Sequence, residues 1–198
     1  METANPFAGR SLLFVPAHRR RMVEKAASLP ADAIVFELED GVPADEKPAA
    51  RAALAALLDA PAANPRQTVL ARVNGTRQPE LLRADLDAVV RPGLRGIMVP
   101  KVDGVEDLGA VEGRLLELES RRGLPPGGIG LLPIVESPIA LLRAHEIATY
   151  SRRAIALVFG GEDFAREMGL PLVREAEALD LLYPRSALAV AAAAAGLP

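Results

Sequence analysis

The chain contains no cysteine and no tryptophan, and only two histidines, five phenylalanines and two tyrosines. Without cysteine there is no disulfide and no zinc–thiolate site, and a cytoplasmic setting is expected. So few aromatic residues argue against a stacking platform for single-stranded nucleic acid. The formal charge is −3. The arginines are spread along the chain instead of forming a basic patch, so no nucleic-acid partner is expected. No apolar run reaches the roughly 18 residues of a membrane-spanning helix. The first ten residues lack the apolar core of a signal peptide. There is no G-x-S-x-G sequence and no well-placed Ser–His pair, which argues against the common nucleophilic triads. Apolar side chains are abundant. They make up 50% of 198 residues, enough for one domain over residues 1–198 with a substantial core.

One phrase recurs along the chain. A short apolar, β-branched run ends in a polar residue, and an Ala/Leu/Arg/Glu-rich helical stretch follows. Strands are expected at Ser11–Val15, Ala33–Leu38, Thr68–Val73, Gly96–Val99, Ile129–Val135 and Ala154–Phe159. Their continuous apolarity, without alternation, is the pattern of parallel strands buried on both faces. Helices are expected near Arg19–Leu29, Ala44–Asp59, Glu80–Val90, Val105–Arg122, Pro138–Tyr150 and Pro184–Ala195. Asp45 or Ala44, Asp103 and Ser137–Pro138 are plausible helix starts.

Strict strand–helix alternation predicts an α/β fold with a parallel sheet. The first strand ends in Val15-Pro16-Ala17-His18, not in a glycine-rich phosphate turn, which counts against a dinucleotide fold. Polar residues close at least four strands: Glu39 and Asp40, Arg72 and Asn74, Glu136, then Glu162 and Asp163. A TIM (β/α)8-type barrel gathers functional groups in that way, from many strand ends onto one face. Such a barrel typically takes about 250 residues, whereas six β/α units are present here. Gly196-Leu197-Pro198 resembles the lead-in to a seventh strand. The sequence leaves three options open: a shortened chain, closure by another chain, or an open sheet.

Glu136 and Asp163 end adjacent strands, which lie about 4.8 Å apart, so the two carboxylates are placed to share one ion. Mg²⁺ is commonly held by one or two carboxylates, with water and substrate oxygens completing its shell. The Gly160–Gly161 pair would let the backbone turn before Asp163. The plainer reading makes Glu136 a helix cap and Asp163 a solvated loop acid. Arg72, inside an apolar strand, needs an anionic partner. That partner is either a substrate carboxylate gripped bidentately or a barrel glutamate such as Glu37 or Glu39. Among Glu37, Glu39 and Asp40, some acids are expected to orient Arg72 or metal-bound water, and Asp40 before Gly41 also suits a turn. Lys101 lies either on the functional face or in a solvated loop. Arg19, Arg20, Arg21 and Lys25 form either a solvated helix face or a clamp for the phosphates of a large acyl carrier. His18 ends the first strand on the functional face, and His145 lies mid-helix on the outer ring.

These residues sit in phrases that resemble the citrate lyase beta subunit and its relatives in the HpcH/HpaI aldolase group. The phrases are Arg10-Ser11-Leu12-Leu13-Phe14-Val15-Pro16; Leu38-Glu39-Asp40-Gly41-Val42-Pro43 with Lys47 and Arg51; Arg72-Val73-Asn74-Gly75; Ile97-Met98-Val99-Pro100-Lys101-Val102; Ile134-Val135-Glu136-Ser137; Phe159-Gly160-Gly161-Glu162-Asp163; and Tyr183-Pro184-Arg185-Ser186. Each is weak alone, but their order and spacing together are specific.

The resemblance implies a (β/α)8 barrel and a homo-oligomer, trimer or hexamer. It implies Mg²⁺ on Glu136 and Asp163, with Arg72 gripping the carboxylate of a 2-oxo acid. It also implies a CoA or acyl-carrier thioester across the barrel mouth near Arg19 and Lys25. The implied activity is a carbon–carbon lyase, cleaving or forming a 3-hydroxy-acyl-CoA thioester from an acyl-CoA and a 2-oxo acid. An acyl-CoA thioesterase on the same scaffold and a non-catalytic subunit needing partner chains are the alternatives. The chain departs from the family pattern at Ala17, where glycine is common, and at Glu37, where aspartate is usual. Against the family pattern, the last two units and the C-terminal lid, which supplies a catalytic acid to a neighbouring subunit in some relatives, are expected to be missing from residues 1–198.

Overall fold

A computed structural model describes residues 9–171 and 178–198; most of the segment read for a leader lies outside them. Six strands follow one another in space as they do in sequence: β1 (Leu12–Pro16), β2 (Ala33–Glu37), β3 (Thr68–Arg72), β4 (Gly96–Val99), β5 (Gly130–Val135) and β6 (Val158–Phe159). Every pairing is parallel. The helices are α1 (Arg20–Ala26), α2 (Lys47–Asp59), α3 (Pro79–Val89), α4 (Val105–Arg122), α5 (Pro138–Leu142), α6 (Ala144–Tyr150), α7 (Gly161–Glu167) and α8 (Leu182–Ala194). The sheet is a curled half-barrel of TIM type. β1 and β6 are its two edges. A cleft of about 530 Å³, lined by Leu12, Phe14, Met98, Leu132 and Val158, opens between them.

Strand parity explains the apolar runs. Ile34, Phe36, Ala71, Ile97, Leu131 and Val135 pack outward against helix residues such as Leu54, Leu86, Val111 and Ile147. Ala33, Val35, Leu70, Met98, Leu132 and Ile134 face inward and form a second cluster. Fully buried side chains such as Leu54, Leu86 and Leu115 each contribute about 1.5–3 kcal/mol. Glu37 continues the inward parity of Val35, Arg72 that of Leu70, and Glu136 that of Ile134. Inward parity at the carboxyl end of the strands therefore delivers charge to one face.

Four expectations need correction. The stretch expected as one helix over Pro138–Tyr150 is two, broken at Arg143 (φ −102°, ψ 9°). There the amide is shared between the carbonyls of Ile139 and Ala140, and the guanidinium reaches the Asp103 carbonyl. The sixth strand is only Val158–Phe159, with a separate bridge from Ala154 to Leu131. Asp45 and Asp103 are not caps: α2 starts from Glu46 without a side-chain cap, and α4 starts from Gly104, whose amide is held by Asp107. Ser137 does cap α5, its Oγ accepting from the Ala140 amide at 3.1 Å. Finally, Asp163 is not on a loop; it lies in the first turn of α7.

Candidate functional site

The site begins with a register pair. Glu37 on β2 and Arg72 on β3 lie opposite each other, and Arg72 Nε donates to Glu37 Oε2 at 2.5 Å. Arg72 Nη1 also reaches Glu39 Oε2 at 3.3 Å, and its guanidinium lies 5.4 Å from the centre of the Phe14 ring. Of the partners weighed for Arg72, the two glutamates are therefore present together. The other Glu37 oxygen accepts from the Glu39 amide at 2.5 Å. Burial raises the Glu37 pKa above the ordinary carboxylate value, against the pull of Arg72.

Lys101, just after β4, ties the acids together. It is one of two described non-glycine residues with positive φ, at 55°. From this backbone its N–H donates to Glu136 Oε1 at 2.6 Å. Its ammonium donates to Glu39 Oε1 at 2.5 Å and to Asp40 Oδ2 at 3.1 Å. Burial opposes the charge on Lys101, but its bonds to Glu39 and Asp40 prevail and raise its pKa. Lys101 thus belongs to the site and is not a free loop lysine. Asp40 is largely exposed and meets only the rim of the cluster.

Glu136 is 5% exposed. Burial pushes its carboxyl up to about 7; the Lys101 amide opposes that rise, and the charges of Asp163 and Glu39 add to it. The β5–β6 register continues from Val135↔Phe159, which brings Glu136 beside Gly160. A Cβ on Gly160 would lie 2.5 Å from Glu136 Oε2 and 2.6 Å from its Cβ. The φ of Gly160 is −88°, so glycine is needed here for close approach and not for a left-handed turn. Asp163 pairs with Arg166 one helical turn on. Glu136, Asp163, Lys101, Ser137, Arg77 and Asp103 line one cavity of about 190 Å³.

This donor set fits a hard divalent cation. Two carboxylates line one cavity, and one of them, Glu136, is buried with its carboxyl pushed up to about 7. Among the described residues no three His, Cys, Asp or Glu side chains gather as a ligand set. A divalent cation such as Mg²⁺ is commonly held by only one or two carboxylates, with water and substrate oxygens in its other positions.

The remaining expected residues lie apart. Arg19, just before α1, and Lys25, on α1, are exposed and stand outside the acid cluster. Of their neighbours, Arg20 pairs with Glu24. The His18 side chain is buried, 3.9 Å from Glu46, with neither ring nitrogen hydrogen-bonded. His145 is exposed on α6. Sequence reading did not single out Arg77, which lines the cavity and pairs with Asp103, or Asp85, fully buried in α3 and bonded to Asn74 and Arg51. The only sequence signal for Asp85 is an acid at an inward position of an amphipathic helix.

A family model described as HpcH/HpaI aldolase/citrate lyase matches residues 10–198. The chain belongs to the HpcH/HpaI aldolase/citrate lyase family. It is 39% identical over 188 residues to the citrate lyase subunit beta of Escherichia coli, covering 95% of this chain and 61% of that protein. It is 38% identical over 166 residues to a (3S)-malyl-CoA thioesterase of Cereibacter sphaeroides, covering 84% of this chain and 53% of that one. The chain therefore spans less than two thirds of the length of these relatives. Among solved structures, the citrate lyase beta subunit of M. tuberculosis complexed with oxaloacetate and magnesium superposes with a TM-score of 0.68 at 29% identity. That match covers 96% of this chain and 76% of the other. No helix among the described residues is long and apolar enough to cross a membrane.

Proposed function

We propose that this member of the HpcH/HpaI family acts as a Mg²⁺-dependent carbon–carbon lyase. It would cleave a 3-hydroxy-acyl-CoA thioester to an acyl-CoA and a 2-oxo acid, or run the reverse. The observation that carries this reading is the cavity shared by Glu136, Asp163 and Lys101, with Arg72 linked to it through Glu39. Glu136 and Asp163 hold the metal, as two hard oxygen donors with room for substrate oxygens. Mg²⁺ bound there supplies Lewis-acid polarisation of the oxo-acid carbonyl. Support comes from the M. tuberculosis relative, whose structure contains oxaloacetate and magnesium.

Arg72 presents a planar fork to the oxo-acid carboxylate and orients the breaking bond. Glu37 and Glu39 hold that fork in place and keep its charge compensated until the substrate arrives. Lys101 and Arg72 together provide positive charge where the enolate develops. Arg19 and Lys25, exposed at the start and near the end of α1, are available to the phosphates of a CoA or acyl-carrier thioester. The chain works in a homo-oligomer, trimer or hexamer.

The test is product analysis with malyl-, citramalyl- and citryl-CoA in the presence of Mg²⁺. A lyase releases a 2-oxo acid and an acyl-CoA in equal amounts. The second reading, a thioesterase, is favoured by the similarity to the Cereibacter enzyme and releases free CoA with no oxo acid. Mg²⁺ binding without turnover of any thioester would favour a subunit that needs a partner chain, an option suggested by the open β1–β6 seam.

A further inference from the structure

A second polar network lies behind the acid cluster, and the proposed chemistry does not use it. Lys47, at the start of α2, is 7% exposed. A buried ammonium is tolerated only when its protons are matched by acceptors. Here all three are: Lys47 Nζ donates to Leu38 O at 2.6 Å, to Glu39 O at 2.7 Å and to Asn74 Oδ1 at 3.0 Å. Asn74 also donates through Nδ2 to Leu38 O at 3.0 Å and to Asp85 Oδ2 at 2.6 Å, and through its amide to Asp85 Oδ2 at 2.8 Å. Arg51 Nε closes the chain on Asp85 Oδ1 at 2.6 Å. Asn74 and Asp85 are 1% and 0% exposed. The network therefore ties two outer helices to the loops that follow β2 and β3.

Its consequence falls on Glu39. The Leu38 and Glu39 carbonyls are held by Lys47, while the Glu39 carboxylate contacts Lys101 Nζ through one oxygen and Arg72 Nη1 through the other. The anchored backbone fixes the origin from which that carboxylate reaches both cations. The Asp85 bond to the Asn74 amide likewise pins the chain two residues beyond Arg72. Among the described residues no hydrogen bond of this network reaches Glu136 or Asp163; Glu136 is held by the Lys101 main-chain N–H, a bond that does not need the Lys101 ammonium.

We infer that Lys47 is a positioning residue for the oxo-acid site: by holding the Leu38–Glu39 backbone it sets where Glu39 holds Arg72 and Lys101. The inference rests on the oxo-acid reading proposed above. It predicts a split that loss of fold would not produce. The metal ligands keep their geometry when Lys47 is replaced, while the carboxylate-binding cations lose theirs.

The test is calorimetry on the 198-residue chain with two probes, Mg²⁺ alone and pyruvate in saturating Mg²⁺, for wild type and Lys47→Met. Methionine keeps most of the length of the side chain and removes the ammonium. The expected result is an Mg²⁺ affinity within about twofold of wild type and a pyruvate affinity lower by about tenfold or more, the scale of losing an outer-shell partner. Should Lys47→Met not fold, Asn74→Ala removes one acceptor of the ammonium and is expected to weaken pyruvate binding in the same direction by less. Unchanged pyruvate affinity in a folded variant overturns the inference. A parallel fall of both affinities overturns it too, because it marks a structural role only. Wild-type protein that binds Mg²⁺ but not pyruvate overturns the oxo-acid reading itself, and this inference with it. That failure is recognisable because it precedes any substitution.

Discussion

The Lys101 amide donates to Glu136 Oε1 across 2.6 Å from a left-handed backbone. One residue thus fixes the carboxylate proposed for the metal with its main chain and engages Glu39 and Asp40 with its side chain. Glycine tolerates that backbone, whereas a β-branched residue is strained in it. Lys101→Gly is expected to retain the bond to Glu136 and with it Mg²⁺ affinity. Lys101→Val is expected to lose about 1–3 kcal/mol of stability. Urea unfolding and Mg²⁺ titration of both variants check this, and equal unfolding midpoints would count against the backbone argument.

Gly160→Ala tests the close approach of α7 to Glu136. The added methyl would enter the space of Glu136 Oε2 and Cβ, so the carboxylate must move. Mg²⁺ affinity is expected to fall by about tenfold or more, as when a metal site loses its oriented ligand, with the helix content unchanged by circular dichroism. Wild-type affinity would mean that Glu136 is not a ligand in this pose.

The raised pKa of Glu136 has a defined sign. Its carboxyl is pushed to about 7 from the ordinary glutamate value of 4.5. Between those values the metal-free folded protein binds more protons than the unfolded chain, so its stability declines as pH rises through that window. Glu136→Gln is expected to remove this slope. Mg²⁺ requires the ionised form, so its affinity should rise by roughly tenfold from pH 6 to pH 8. A pH-independent Mg²⁺ affinity over that range would contradict the assignment.

A buried ion pair away from the site provides a control. Arg153 meets Glu119 at 2.8 and 2.6 Å, and Glu119 also accepts from the Gly127 and Ile129 amides. Removing one partner leaves an uncompensated buried charge. Arg153→Leu is expected to destabilise the protein by about 3–5 kcal/mol in chemical unfolding. Mg²⁺ affinity under native conditions should be unaffected.

Much of this was legible in the sequence because it depends on local periodicity. Gly96–Val99 and Val105–Arg122 have the expected bounds, and β2 and β3 differ by one residue at one end. Glu37, Arg72 and Glu136 follow their strands by parity, so their common face could be read in advance. Two other features depended on three-dimensional neighbours. Gly160–Gly161 reads as a turn, and its role as space for Glu136, with a helix starting at Gly161, appears only when β5 and β6 are side by side. Asp85 reads as a polar position on α3, and its bonds to Asn74 and Arg51 join three segments far apart in sequence. Lys101 was ambiguous for the same reason: its partners come from the segments that follow β2 and β5.

The central claim is that Glu136 and Asp163 hold Mg²⁺ together with a 2-oxo acid. The most direct measurement is the thermal unfolding midpoint with and without Mg²⁺ plus oxaloacetate, in wild type and in Asp163→Asn. A ligand that binds only the folded protein raises the midpoint by mass action. The account predicts a rise in wild type that is lost in Asp163→Asn. No rise in well-folded wild-type protein, or an equal rise in both, would contradict it.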